Sequence, residues 1–578
     1  MKKFYKNLVL LLIPMLVFSM TVLNVKVSAQ DTVKIGVLFP KYLTQGGGGF
    51  GGSGYGGMYD GAQMAMEEIN DAGGINVGGE MRNIELDFQD EGALDPTLVP
   101  PNYNPAITTA SMTEMLTSGC QFIVGGFRTE TTQAALSTLQ AWNTGGQTPV
   151  PFWICGSATS ALIDNNQTQN PGGQWVFRVT PVNDSQLLFT VTNYMKQYLA
   201  PKLAKMYTNA TYPTDTPGQF RFAVIAEDLT WTQSMALYLT APPGFGGLPL
   251  PGYNYFLGPN MTTSGVLGTG GTPVIPGRNL VPASGYDFSS LVSTLKSQGV
   301  HLIITIFTMP EVNSLITAVK AAEMPAMVVG IDVPGQQQSH WADTSGDANY
   351  ECLLCWSGTN TPTVPGYTEV FFKEFCEFSG GYWPMYTASG AYDAIYGIKE
   401  AIERAGTTEP NTLLPFIQST DRVGLSGRFK YTTSNDEYAN SNGINWTQYD
   451  ENTPYGWARS QIVQWIANTT DPGDPYPNVG AQMNVVSPVR LNDTYCPPYV
   501  RKTVMPPSMY ELANWDVNFD GKVNMADVGQ CAKAFGGRPE LANWNMEVDT
   551  NTDGKIDMKD IGTIAKNFGK NAPQWPLP

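Results

Sequence analysis

Short apolar runs alternate with amphipathic stretches along most of the chain. Residues 33–39 form a run rich in β-branched residues that enters a glycine-rich loop, residues 46–57. The following GAQMAMEEINDAGG places Ala62, Ala65, Met66 and Ile69 on one helical face and turns Glu67 and Glu68 outward. Gly73 and Gly74 end that helix. Residues 84–88 alternate as a strand, and residues 122–124 precede a helix starting near Thr131. Residues 152–154, 222–226, 302–307 and 327–331 read as further strands, with helical patterns such as 312–322 between them. Strands alternating with helices predict parallel sheets. Roughly 430 residues of this exceed one doubly wound sheet, so two α/β lobes are expected. Ligands in such sheets sit beyond the carboxyl ends of the strands.

The N-terminus breaks this pattern. Lys2, Lys3 and Lys6 precede an apolar stretch, residues 8–25, and Val27-Ser28-Ala29 resembles a small-residue cleavage site. Residues 1–29 read as a signal peptide, with an uncleaved anchor as the alternative at that length. The expected location is extracellular or at the cell surface. No cysteine near Ala29 offers a lipid attachment point. The net charge of −17 argues against nucleic acid and anionic lipid as partners. Two histidines, His301 and His340, leave little room for imidazole catalysis. Seven cysteines leave at least one unpaired. Cys352-x-x-Cys355 near Cys376 fits zinc ligands, a local disulfide or buried thiols, and the lack of a second CxxC favours the last two.

Residues 467–510 are proline-rich with little periodicity and read as a linker. Beyond it, ELANWDVNFDGKVNMADVGQCAKAFGG and ELANWNMEVDTNTDGKIDMKDIGTIAKNFGK form a duplication. Each copy holds a twelve-residue loop with oxygen donors at alternate positions, a spacing that converges on one hard cation. The first offers Asp516, Asn518, Asp520, the carbonyl of Lys522, Asn524 and Asp527 around Gly521. The second offers Asp549, Asn551, Asp553, the carbonyl of Lys555, Asp557 and Asp560 around Gly554. Two Ca2+ ions are expected, with Val523 and Ile556 at position eight pairing the loops through their backbones. The unit, about residues 511–570, resembles the dockerin domain, a small all-α calcium-loop module that plugs into a cohesin receptor. At positions ten and eleven, where dockerins read their partner, stand Met525-Ala526 and Met558-Lys559 in place of small hydroxyl pairs.

The larger part of the chain resembles solute-binding proteins of the branched-chain amino acid type. The resemblance rests on KIGVLFP, GMYDGAQMAMEEINDAGGINVGGEMRNIELDFQDEGALDP, FIVGGFRTETTQAALSTLQAW, PFWICGSATSALID, FRVTPVNDSQ and GYDFSSLVSTLKSQGVHLIITIFTMPEVNSLITAVKAA, in that order. It implies an α/β, two-lobed type 1 periplasmic-binding-protein fold over residues 30–466. The first lobe takes about 30–180 and 358–425, the second about 181–357 and 426–466. It also implies a ligand between the lobes. By position, the ligand carboxylate meets Thr129, Thr131 and Thr132 on one loop and Ser157, Ala158 and Thr159 on another, with Arg128 beside them. Hydroxyls and N–H groups at a helix start suit an anion, although Thr131 also reads as a plain helix cap. Asp332 matches the carboxylate that meets the ligand ammonium; a solvated loop aspartate is the other reading. Trp231, Tyr55 and Thr308 would close over the ligand, while aromatics there also suit core packing. The resemblance implies a receptor, not an enzyme, that delivers an amino acid or related solute to ABC transporter membrane subunits and is held outside the cell by a cohesin-like surface protein. The competing readings are a secreted enzyme carrying a dockerin or a structural surface protein. No GxSxG or HExxH motif supports the enzyme.

Overall fold

The computed structural model describes residues 32–42, 57–98, 102–163, 172–180, 182, 184–199, 202–203, 220–240, 261–263, 278–281, 286–308, 310–355, 366–431, 461–467, 481–487, 503–506, 514–538 and 541–571. The leader, Tyr55 and Cys496 lie outside these residues.

Five parallel strands make the first sheet, in the order Ile84–Asp90, Val33–Phe39, Phe122–Gly125, Phe152–Ile154 and Val176–Arg178. The strand Val33–Phe39 is apolar apart from Lys34 near its start, because both of its faces are covered. Val33, Ile35 and Val37 join one apolar cluster with Ala62 and Ile398; Leu38 joins another with Met112 and Leu139. Helix Met58–Asp71 buries Ala62, Ala65 and Ile69 as its periodicity requires. Glu68 departs from the expected outward face: its carboxylate accepts the hydroxyls of Tyr392 and Tyr396, each at 2.7 Å. The same helix lies against Tyr386–Ala405 so closely that a Cβ on Gly61 would overlap the carbonyl of Ala388.

The second sheet has eight strands. Arg278–Val281, Phe220–Glu227, Val300–Phe307, Met327–Asp332 and Cys352–Cys355 run parallel, with Met261–Thr263 beside Phe220–Glu227. Gln461–Ala467 and Ala481–Ser487 close the far edge antiparallel. The last strand corrects the linker expected over residues 467–510. Its AQMNVVS run pairs at a sheet edge, where nearby prolines are tolerated. Residues 503–505 also pack on this lobe: the Val504 N–H donates to Gln464 Oε1 at 2.8 Å, and Gln464 Nε2 donates back to the Val504 carbonyl at 2.9 Å. The first lobe runs further than expected, since Tyr431 is buried against Phe177 with ring centroids 5.1 Å apart.

The C-terminal module rests on the second lobe. Tyr198 donates to Glu547 at 2.6 Å and Lys202 pairs with it at 3.0 Å. Val517, Val523 and Ile564 belong to the same apolar cluster as Tyr194 and Leu199. None of the six described cysteines is in a disulfide. Cys352 and Cys355 sit in the clusters on opposite faces of the sheet, as strand alternation dictates, so they form no shared site. Among the described residues no helix is long and apolar enough to cross a membrane.

Alanine at Gly61 would gain about 1 kcal/mol of helix propensity. Overlap with a backbone carbonyl cannot be relieved by a rotamer change and falls at the upper end of the ~1–3 kcal/mol cost of overpacking. Gly61→Ala is therefore expected to destabilise the first lobe by roughly 1–2 kcal/mol in urea unfolding; a raised midpoint would contradict the close helix contact.

Candidate functional site

Where the two lobes face each other, one cavity is lined by Phe127, Arg128, Thr129, Glu130, Gly156 and Ala158 from the first lobe and Leu187, Trp231, Thr308, Ile331 and Val333 from the second, with Val182 at the crossing and Tyr386 at a helix start. Strand Phe122–Gly125 delivers the chain to the first of these groups. Gly125 and Gly126 take φ of 139° and 81°, and a Cβ on Gly125 would overlap the Leu38 carbonyl, so the turn demands glycine. Helix Thr129–Thr144 then begins at the cavity wall with Arg128 as its N-cap.

The helix start is held by an internal carboxylate. Glu91, fully buried, accepts the N–H groups of Phe127 and Arg128 and the Thr131 hydroxyl at 2.7 Å. Burial pushes its carboxyl up to about 7, although these three donors favour the charged form. Thr131 is thus spent on Glu91 and does not line the cavity, which corrects its expected ligand role. Ser157 is likewise turned inward: its hydroxyl meets Thr132 and donates to the Arg128 carbonyl at 3.1 Å. The hydroxyls of Thr129 and Thr159 sit 2.9 Å apart, with Thr129 on the wall and Thr159 behind it.

Two arginines organise this face. Arg178, at the end of the last strand of the first sheet, is fully buried. Its guanidinium donates to the carbonyls of Ser157 and Val182 and, at 3.0 Å, to that of Thr159. Burial lowers it to about 10, still charged at neutral pH. Arg128 lies over the Tyr103 ring at 5.1 Å and donates to the Ala93 carbonyl at 3.2 Å. Its Nη2 is buried without a hydrogen-bond partner, and Arg128 is one of the residues that line the cavity. Such a donor is costly to leave unmet and suits an anionic ligand oxygen.

From the second lobe come Trp231 and Thr308, as expected. The Thr308 hydroxyl donates at 2.6 Å to Glu227, a buried carboxylate at the end of strand Phe220–Glu227. Asp332 does not reach the cavity. Ile331 and Val333 line it, so Asp332 between them points to the other side, as strand alternation requires. Its Oδ1 accepts the Gly335 N–H at 3.0 Å and its Oδ2 lies 3.8 Å from His340 Nε2. Sequence reasoning missed Glu91, Arg178 and Tyr386, whose roles depend on contacts between segments far apart in the chain.

The C-terminal loops repeat one geometry. Asp516 accepts the N–H of Asp520 at 3.1 Å and of Gly521 at 2.8 Å; Asp549 accepts those of Asp553 at 3.1 Å and Gly554 at 2.9 Å. Gly521 and Gly554 take φ of 87° and 78°. Asn518 and Asn551 donate to Asp520 and Asp553 at 3.1 and 3.0 Å. Lys522 and Lys555 each donate a backbone N–H to the same aspartates at 3.0 Å. Asp527 and Asp560 are fully buried and form capping boxes with Asn524 and Asp557, whose side chains cap the following helices. Position nine is therefore partly occupied by capping, in keeping with contact through water. Four fully buried carboxylates, Asp516, Asp527, Asp549 and Asp560, concentrate negative charge that a hard dication offsets. The loops do not pair with each other at position eight. Val523 bonds to Gly569 and Lys570, and Ile556 to Gly536 and Gly537, so each loop is tied to the chain leaving the other repeat's helix.

Glu91 gives this site a pH signature. A carboxyl raised in the folded state contributes stability that is fully present below the unfolded value and is lost as pH rises to about 7. Wild type should therefore lose on the order of 3 kcal/mol relative to Glu91→Gln between pH ~4.5 and ~7, since each pH unit in that window costs about 1.4 kcal/mol. Urea unfolding of both proteins across that range checks this, and parallel profiles would contradict it.

Comparison with known proteins agrees with this geometry. The periplasmic binding protein family profile matches residues 32–241 and 260–451, and the dockerin type I domain profile matches residues 514–569. The chain is similar to a leucine-, isoleucine-, valine-, threonine- and alanine-binding protein from Brucella ovis in its closed conformation, with 13% identity and a TM-score of 0.54 over 79% of this chain and 95% of that one. It is similar to a branched-chain amino acid transporter substrate-binding protein from Streptococcus pneumoniae in complex with isoleucine, with 15% identity and a TM-score of 0.52 over 79% of this chain and 100% of that one. A solute-binding protein of an ABC transporter from Rhodopseudomonas palustris, in complex with 3,4-dihydroxybenzoic acid, gives 13% identity and a TM-score of 0.52 over 79% and 96%. At these identities the likeness is one of fold. No curated protein matches the chain in sequence. The chain belongs to the periplasmic binding protein family and carries a calcium-binding dockerin type I domain near its C-terminal end.

Proposed function

We propose that this protein is an extracellular receptor that captures an amino acid or related small carboxylate between its lobes and delivers it to the membrane subunits of an ABC transporter. The observation that carries the reading is Arg128, whose buried Nη2 has no hydrogen-bond partner and which lines one cavity with Thr129 from the first lobe and Trp231 and Thr308 from the second. The guanidinium and hydroxyl take the carboxylate, and the aromatic and aliphatic wall takes the side chain. Glu130 on the wall and Thr308, backed by Glu227, are the groups an ammonium would meet in place of Asp332. A second reading is an aromatic carboxylate without an ammonium. It is favoured by the turn of Asp332 away from a cavity otherwise lined mainly by apolar side chains. Calorimetric titration with amino acids and hydroxybenzoates separates the two. For either class, Arg128→Ala should lower affinity by roughly 30-fold or more, since truncating one partner of a desolvated charge pair costs roughly 2–5 kcal/mol. Asp332→Asn should change it little. Unchanged affinity in Arg128→Ala would sink the carboxylate reading.

We further propose that the dockerin domain takes two calcium ions and holds the receptor at the cell surface through a cohesin-bearing protein. Supporting this are two loops with matched donors and four buried carboxylates. The full chain should bind two equivalents of calcium. Asp520→Ala and Asp553→Ala should each remove one, and calcium at about 100 times Kd should stabilise the domain by roughly 2.7 kcal/mol per site. The double variant should also leave the cell surface. A single equivalent in wild type, or unchanged melting in chelator, would contradict the two-ion reading.

A further inference from the structure

Asp332, displaced from the cleft, belongs to a different cluster. One carboxylate oxygen each of Asp332 and Glu351 and one ring nitrogen of His340 all lie within 4.8 Å of one another, and all three residues are buried. His340 Nε2 is 2.7 Å from Glu351 Oε2 and 3.8 Å from Asp332 Oδ2. With both carboxyls ionised, Asp332 Oδ2 and Glu351 Oε1 meet no donor; the two groups are close enough to share a proton. Both atoms of the Gln336 side-chain amide, in the turn that follows Asp332, are also buried without a hydrogen-bond partner. Unmet oxygens of this kind in a dry interior are costly unless a cation or proton meets them.

Each ring nitrogen of His340 has one oxygen at hydrogen-bond distance, and the tautomer decides which nitrogen donates. Nδ1 lies 3.0 Å from Asn313 Oδ1. A neutral imidazole that gives its one N–H to this oxygen keeps a bare lone pair on Nε2. That lone pair then faces the Glu351 oxygen, and the two repel unless something positive lies between them. Outer-shell hydrogen bonding of the second imidazole nitrogen is the usual support of a metal-bound histidine. Bond lengths of ~2.0–2.1 Å around tetrahedral zinc put neighbouring ligand atoms roughly 3.3 Å apart. The observed 2.7 and 3.8 Å bracket that spacing.

We infer that Asp332, Glu351 and His340 form a structural site for a single transition-metal dication of the zinc type in the second lobe. One nitrogen and two carboxylate oxygens suit zinc or cobalt better than calcium, which prefers an all-oxygen shell. The site is therefore chemically distinct from the two C-terminal loops. It would tie the turn after strand Met327–Asp332 to the start of strand Cys352–Cys355, directly behind Ile331 and Val333 of the cleft. The rival arrangement turns the Asn313 amide over, puts the imidazole proton on Nε2 and lets the two carboxyls share a second proton. Burial works in that direction, raising Asp332 and Glu351 and lowering His340.

The test uses the full chain, stripped of metal and then saturated with calcium to occupy the C-terminal loops. Zinc retained after gel filtration is measured by atomic emission, and cobalt uptake by its visible absorption. Wild type should retain one equivalent of zinc and give the bands of tetrahedral, nitrogen-ligated cobalt. Glu351→Gln and His340→Gln should retain none, and Asn313→Ala should weaken affinity by roughly 10- to 100-fold, the usual effect of losing an outer-shell partner. Wild type that retains no zinc, or zinc retained equally by folded Glu351→Gln, would overturn the inference in favour of the shared protons. If the variants fail to fold, melting of wild type decides: a higher Tm with zinc than with a zinc chelator, both in calcium, supports the site, and no shift overturns it.

Discussion

The cleft depends on one buried guanidinium. Arg178 ends the last strand of the first sheet and gathers the carbonyls of Ser157, Thr159 and Val182. Two of these lie on the loop that carries the Thr159 hydroxyl, and the third lies where the chain passes into the second lobe. One side chain thus fixes both the wall of the first lobe and the start of the crossing. The Asp184 N–H continues the connection by donating to the Ala158 carbonyl at 2.8 Å. A buried charge is tolerated here because carbonyl dipoles replace water around it. Glu91 works in the mirror sense, filling the helix start beside Arg128 with an internal carboxylate. With that anion position taken from within, Arg128 and Thr129 are what the first lobe presents to a ligand.

The second lobe answers with an apolar wall and little formal charge at the surface of the cavity. Glu227 stands behind Thr308, and Asp332 is turned toward His340 and Glu351. In the proposed capture, a ligand carboxylate meets one side of the cleft and its apolar part the other. Such asymmetry links binding to closure, because only the closed form satisfies both faces at once. The calcium module is no free tail. Glu547 ties it to Tyr198 and Lys202, and Asn514 exchanges hydrogen bonds with Met505 at 3.0 and 3.2 Å. These contacts fasten the module to the second lobe.

The α/β order was legible because the central strands are mainly apolar, and the calcium loops because their donors are local in sequence. Thr129, Ala158, Trp231 and Thr308 reached the cavity as expected, each just past a strand or at a helix start. Asp332 was placed on the right strand and the wrong face, an error of one residue in a period of two. Thr131 and Ser157 have suitable hydroxyls, but Glu91 and the Arg128 carbonyl consume them, which no local pattern reveals. Residues 481–487 were hidden by the surrounding prolines, although their pairing with residues 461–467 completes the sheet. The exchange of position-eight partners in the calcium module depends on the packing of the two repeats and is equally invisible in either loop alone.

Hydrogen exchange of the full chain with and without its best-binding solute tests the central claim most directly. Solute should slow exchange at Phe127–Glu130 and Gly156–Thr159 on one lobe and around Trp231 and Thr308 on the other, while the calcium loops remain unchanged. Protection confined to a single lobe, or absent from both loops of the first, would contradict capture between Arg128 and Trp231.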